Sequence, residues 1–240
     1  MAINEWVAQK TRGKIPQIVT PGAIAGSPAV ITNAVYFKGK FRDPFRSEET
    51  EPKTFHLAGG HDKLVPMMRR WFSSGAYRVG KKAEAAALSY EDSDIILFMI
   101  LPKKGISPEQ VLTEELLSEL TAEQSVELDL SMPRFAIDFN SDLKGSLQRL
   151  GMGIAFQYPG ADFSPIGSSF FFIGDVLHKT VLEVDEEGTV AAAALGVVLG
   201  SAMPLRPRTV KTLVFDRPFA IVLSDTITGA TLFAGVIYEP

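Results

Sequence analysis

The side chains able to do chemistry in this chain are few and scattered along its 240 residues. Of the three histidines, His56 and His61 stand in a polar connection, and His178 stands inside the apolar run from Phe170 to Val184. A lone imidazole in such a run reads as a core histidine held by hydrogen bonds, because proton transfer needs a second titratable group or a substrate within reach. There is no cysteine, and so no thiolate nucleophile, disulfide framework or cysteine metal site. A Gly-x-Ser-x-Gly elbow, a His-Glu-x-x-His helix and a Gly-Lys-Ser/Thr phosphate loop are all missing. Gly151-Met-Gly153 lacks the third glycine of a dinucleotide fingerprint and follows a helical pattern, not a strand. The pairs Arg69-Arg70, Lys81-Lys82 and Lys103-Lys104 are separated by apolar strands and read as solvated edges. The sequence therefore predicts no enzyme, no metal and no cofactor.

What remains is chemistry of the main chain. Residues 185–202 read Asp-Glu-Glu-Gly-Thr-Val-Ala-Ala-Ala-Ala-Leu-Gly-Val-Val-Leu-Gly-Ser-Ala, with no charged side chain from Thr189 to Ala202. Four alanines suit a helix, but Gly196, Val197, Val198 and Gly200 do not, and Pro204 and Pro207 demand extended chain. Leu195, Val197 and Leu199 alternate in step opposite a face of small residues, so the segment can lie buried on both faces of a sheet. Asn33, in the run Ala29-Val-Ile-Thr-Asn-Ala-Val-Tyr-Phe37, is expected as a buried amide in a strand covered on both sides.

The elements that would position these segments predict an α+β protein of antiparallel and mixed sheets with flanking helices. Ile3, Trp6 and Val7 predict a helix over 3–12, stopped at Gly13. Strand patterns cover 63–68, 77–79, 85–90, 94–101, 126–132, 213–215, 219–224 and 231–238, the last two joined as a hairpin through Thr226–Gly229. Ser107-Pro108-Glu109 opens a helix to about Leu120, and Ser141 precedes another over 142–150. Lys plus Arg total 24 against 28 Asp plus Glu, a formal charge of −4 that gives no basic field for nucleic acid. The longest apolar stretch, Val190 to Leu205, is broken by Gly196, Gly200, Ser201 and Pro204, so no membrane helix is expected and the protein reads as soluble. The polar, helix-like first ten residues show no signal peptide, and the compartment stays open.

Glu186-Glu187-Gly188-Thr189-x-Ala191-Ala192-Ala193-Ala194 resembles the reactive-loop hinge of the serpins. Asn4-Glu-Trp-Val…Thr11-x-Gly13-Lys-Ile15, Thr32-Asn-Ala-Val-Tyr-Phe-Lys-Gly-Lys40, Val65-Pro-Met-Met68, Asp175-Val-Leu-His-Lys179, Phe215-Asp-Arg-Pro-Phe219 and Phe233-Ala-Gly-Val-Ile-Tyr-Glu-Pro240 match the same family in order. The resemblance spans residues 1–240 as the C-terminal portion of one serpin domain, with a reactive loop at about 186–210. It implies that helices and strands ahead of Met1 are missing, as in a fragment, because Ile31 and Asn33 would otherwise lie in a strand with an unpaired edge.

The resemblance further implies a suicide-substrate inhibitor of a serine protease. The protease cuts the loop, which then inserts into the main sheet with the acyl-enzyme attached. By the family's usual spacing from Gly188, the cleaved bond is Ala202–Met203. Proline after Met203 and after Arg206 opposes cleavage there, so small Ala202 suits an elastase-like or subtilisin-like enzyme, with Leu205–Arg206 and a chymotrypsin-like enzyme as the alternative. Asn33 and His178 match a polar latch beneath the sheet opening. Phe41 stands at the loop's insertion point, where the family typically has Trp. The resemblance favours an extracellular monomer able to form loop-sheet polymers. A non-inhibitory binding serpin and an inactive fragment are the other readings.

Overall fold

Helix α1 (Ala2–Lys10) forms where the sequence predicts it, and Asn4 explains how it is held. The Asn4 Oδ1 accepts from the backbone N–H groups of Ile18 (3.1 Å) and Val19 (3.0 Å), and its Nδ2 donates to the Val19 carbonyl (2.8 Å). Val7 is fully buried and Trp6 is half exposed, so one stripe of the helix alone faces the core. Gly13, at φ +78°, ends the segment with its N–H donating to the Ala8 carbonyl.

The computed structural model describes residues 2–20, 22, 24–121, 124–167, 171–189 and 210–240. After α1 come strands β1 (Ala29–Tyr36), β2 (Gly39–Lys40), β3 (Glu51–His56), β4 (Asp62–Val79), β5 (Ala83–Ser89) and β6 (Ile95–Pro102). Helix α2 (Glu114–Thr121), β7 (Gln124–Pro133), β8 (Phe135–Asp142) and the short α3 (Lys144–Leu147) lead to β9 (Ile173–Val184) and β10 (Gly188–Thr189). β11 (Lys211–Val214), β12 (Phe219–Asp225) and β13 (Thr231–Ile237) close the chain. These elements form two compact units, residues 1–37 with 136–182, and residues 38–135 with 183–240.

The first unit holds a three-stranded sheet in the order β1-β9-β8. β1 and β9 run parallel through eight residue pairs, from Ala29 opposite Ile173 to Tyr36 opposite Val181. Val7, Ile15, Ile18, Val19 and Val181 form a core beneath them, with Ala34 and Leu177 packed against it. The opposite face of β1 is open among the described residues: Ile31 is 44% exposed, and Asn33 is exposed rather than a buried amide. The helix predicted over 142–150 also differs. β8 runs on through Ser141, and the Asp142 Oδ1, not Ser141, accepts from Lys144 N–H (2.9 Å) as the helix starts.

In the second unit an eight-stranded sheet runs β11-β7-β4-β5-β6-β12-β13, with β3 on β4. β6 and β12 are its most buried strands and read as continuous apolar runs, as strands covered on both faces do. Phe98, Ile100, Ala220 and Val222 meet Ala83, Ala85 and Val111 in one cluster. The predicted 107–120 helix breaks in two, a single turn over Pro108–Val111 and then α2, with Leu112 at φ −92°, ψ 56° between them. One unbroken helix, at about 100° per residue, would aim Val111, Leu112 and Leu117 to three different sides, whereas all three pack on this core. The pieces predicted over 63–68 and 77–79 are a single 18-residue strand, β4. Its charges are met across the sheet: Arg69 donates twice to Asp129, at 2.8 and 2.7 Å, and Arg70 reaches Asp43 at 3.1 Å.

Candidate functional site

β9 ends in a reversal built by Asp185-Glu186-Glu187-Gly188. Asp185 N–H donates to the Gly188 carbonyl (2.8 Å), Gly188 N–H returns to the Asp185 carbonyl (3.2 Å), and Asp185 Oδ1 accepts from Glu187 N–H (3.0 Å). Gly188 sits at φ +134°, which side chains beyond glycine rarely adopt. A Cβ there would stand 2.5 Å from the Gly39 carbonyl oxygen, 2.7 Å from Phe41 N and 2.9 Å from Lys40 Cα. The glycine is what lets β10 press against β2, pairing Gly188 with Lys40 and Thr189 with Gly39.

Two further backbone bonds tie this turn to the chain after β2. Phe41 N–H donates to the Glu187 carbonyl and Phe45 N–H to the Glu186 carbonyl, both at 2.7 Å. Phe41 is itself fixed from below. It is 2% exposed, bridges to Tyr90 with ring centroids 5.1 Å apart, and meets Phe45 edge-on at 6.2 Å. A phenyl ring supplies the packing here without the indole N–H that a tryptophan would need to satisfy.

Glu186 points the other way, into the protein, at 5% exposure. Arg134 Nε lies 2.8 Å from both carboxylate oxygens, Arg134 Nη2 also donates to Oε1, and Thr50 Oγ1 donates to the same oxygen. Burial alone would raise the Glu186 pKa. The hydrogen bonds from Arg134 and Thr50 outweigh it and hold the carboxyl below its ordinary value. The same contact raises Arg134. A depressed folded pKa adds stability that is complete above the unfolded value, about 4.3, and is lost as the pH falls through the folded one. In denaturant titrations across pH, wild type is expected to lose its advantage over Glu186→Gln on the acid side; parallel curves from neutral pH to pH ~3 would remove this role.

Asn33 and His178 face each other in the β1–β9 register, but no hydrogen bond joins them among the described residues. His178 Nε2 lies 3.0 Å from Thr180 Oγ1, its ring stands 6.2 Å from Phe139, and its buried Nδ1 has no partner among the described residues. Ala191, Ala192, Ala193, Ala194, Ala202 and Met203 lie outside the described residues. The reversal thus gathers Glu186, Glu187, Gly188, Thr189 and Phe41, and adds Arg134, Thr50 and Tyr90, which sequence reasoning missed. The one available signal was a lone cation, Arg134, at the join of two apolar strands.

The comparisons agree on the family. The chain matches the serpin (serine protease inhibitor) family over residues 1–240. It is 36% identical over 252 residues to the leukocyte elastase inhibitor of Bos taurus, covering 99% of this chain and 66% of that one. Among solved structures it resembles the native state of the thermophilic serpin tengpin (27% identity, TM-score 0.89), covering 100% of this chain and 62% of that one. It also resembles human thyroxine-binding globulin in complex with thyroxine (25% identity, TM-score 0.87), covering 100% and 63%. The chain spans 53% to 66% of the length of the curated relatives it matches. With a family match over residues 1–240 and a TM-score of 0.89 to a solved serpin, the chain belongs to the serpin family.

Proposed function

We propose that this chain carries the strand-insertion machinery of a suicide-substrate serine-protease inhibitor, with its reactive loop at about 186–210. The observation that carries the reading is the direction of the chain at Asp185–Gly188. β1 and β9 are parallel, so a strand that reverses after β9 and enters between them would pair antiparallel with both. The chain that reverses after β9 has that direction, and no charge follows in it until after Ala202.

The protease serine oxygen adds to the Ala202 carbonyl carbon, the bond to Met203 breaks, and the Met203 amine leaves with a proton. Ala202 stays on the enzyme as an ester. Insertion of 189–202 then exchanges one β1–β9 ladder for two antiparallel ones, a net gain of about eight hydrogen bonds at roughly 0.5–1.5 kcal/mol each. Burial of Leu195, Val197 and Leu199 adds several kcal/mol more, so the drive is on the order of 10 kcal/mol. That is enough to carry the attached enzyme away and distort its site.

The test is a denaturing gel with mass spectrometry after incubation with elastase-, subtilisin-, chymotrypsin- and trypsin-like proteases. A covalent complex and a released peptide beginning at Met203 support the proposal. Cleavage without a complex favours the second reading, a serpin-type binding protein, for which the likeness to thyroxine-binding globulin speaks. Thr189→Arg is expected to lower the trapped fraction about tenfold or more while cleavage continues, since its charge must be buried for insertion to start. Equal trapping by both proteins on the gel would remove Thr189 from the hinge.

A further inference from the structure

β4 and β7 do not pair evenly. Phe72 stands opposite Leu128 and Gly75 opposite Val126, so β4 takes three steps where β7 takes two. This is a β-bulge, and it bends the strand away from its neighbour. A cavity of about 380 Å³ opens beside the bulge, within the 38–135 and 183–240 unit. Its apolar lining includes Phe72 and Leu128, and its polar lining includes Ser89 and the pair Ser74 and Ser125, whose hydroxyls hydrogen-bond to each other. A Cβ at Gly75 would lie 2.8 Å from Leu128 Cβ, so this wall exists in its present form because position 75 carries no side chain.

The charges around the cavity are unequal. Asp43 lines it but is engaged by Arg70, which also donates to the Pro44 carbonyl and stacks 5.2 Å over the Phe72 ring. Arg42 lines it too, exposed, and its guanidinium has no ion-pair partner among the described residues. A guanidinium without an ion-pair partner among the described residues, in one lining with serines and an aromatic ring, is the pattern that recognises a carboxylate on a small ring.

We propose that this cavity binds a small organic carboxylate with a hydroxyl-bearing ring, its carboxylate on Arg42, and that occupancy tightens the grip on the loop hinge. The connection is covalent and short. Arg42 N–H donates to the Ser89 carbonyl, and the residues bracketing the site, Phe41 and Phe45, are the ones whose N–H groups hold the Glu187 and Glu186 carbonyls. A ligand bridging Arg42 and Ser89 fixes the stretch that clamps the turn. The effect on inhibition rests on the inhibitor reading above; binding and clamping do not.

The experiment uses the full chain and para-hydroxybenzoate as probe, with para-hydroxybenzamide as its uncharged counterpart. Calorimetric titration is expected to show binding of the carboxylate, about tenfold or more weaker for the amide and for Arg42→Gln, the loss of one charge-assisted contact. Arg42→Lys should fall between, keeping the charge without the fork. Arg42→Gln alone should leave the unliganded Tm unchanged, since the exposed Arg42 side chain holds no partner among the described residues. In hydrogen exchange, the probe should slow the Phe41 and Phe45 amides in wild type and not in Arg42→Gln. No binding at millimolar probe, or binding indifferent to Arg42, overturns the site; binding with unchanged exchange at both amides overturns the coupling. None of these readouts involves a protease, so their failure is distinct from failure of the inhibitor reading.

Discussion

Replacing Arg134 by methionine is expected to destabilise the chain by about 2–4 kcal/mol, read as a lowered urea midpoint with unchanged slope. Glu186 is 5% exposed and would keep Thr50 as its side-chain donor. The full cost of orphaning a buried carboxylate, about 3–5 kcal/mol, is discounted because the Arg134 side chain is 46% exposed and lets water in. The double variant Arg134→Met with Glu186→Leu should recover most of the loss, since it removes both charges together. A single variant as stable as wild type, or a double variant no better than the single, would show that the pair holds nothing.

The second large effect is at Gly188. Gly188→Val meets the Gly39 oxygen, Phe41 N and Lys40 Cα, three backbone atoms that no rotamer change can move. It must also adopt φ +134°, a region that costs a branched residue about 1–3 kcal/mol by itself. With overpacking of similar size added, the β2–β10 pair should be lost and the turn released. The diagnostic is local: the Phe41 and Phe45 amides, which donate to this turn, should lose exchange protection while β6 and β12 keep theirs. Retained protection at Phe41 would mean that the clamp does not need a glycine.

What could be read in advance follows from how local its cause is. α1, β6 and the β12–β13 hairpin announce themselves through spacing and turn chemistry, the hairpin by Asp225 accepting from Ile227 and Thr228 N–H before Gly229. β9 lies inside the apolar run from Phe170 to Val184, but what satisfies its interruptions at Asp175 and Lys179 was not legible. Ser27 answers Asp175 and Asp138 answers Lys179 at 3.0 Å, and neither partner is a sequence neighbour. The middle of β4 was hidden likewise, since Arg69-Arg70 read as a solvated edge until Asp129 and Asp43 are in place. The same holds at the hinge. Glu186 to Gly188 were legible as a motif, but Arg134 and Thr50 lie 52 and 136 residues from Glu186, a pairing that only the folded chain can make.

β4 has a mechanical consequence as well. Because its first half carries β3, its second half carries β5, and β7 runs along both, the β3 end and the β5 end of this part of the sheet are joined within one strand. Independent foldons need a seam where few contacts cross, and here the seam is occupied by continuous main chain. The part of the sheet built on β3, β4, β5 and β7 is therefore expected to unfold as one block, with slack at the Phe72–Gly75 bulge.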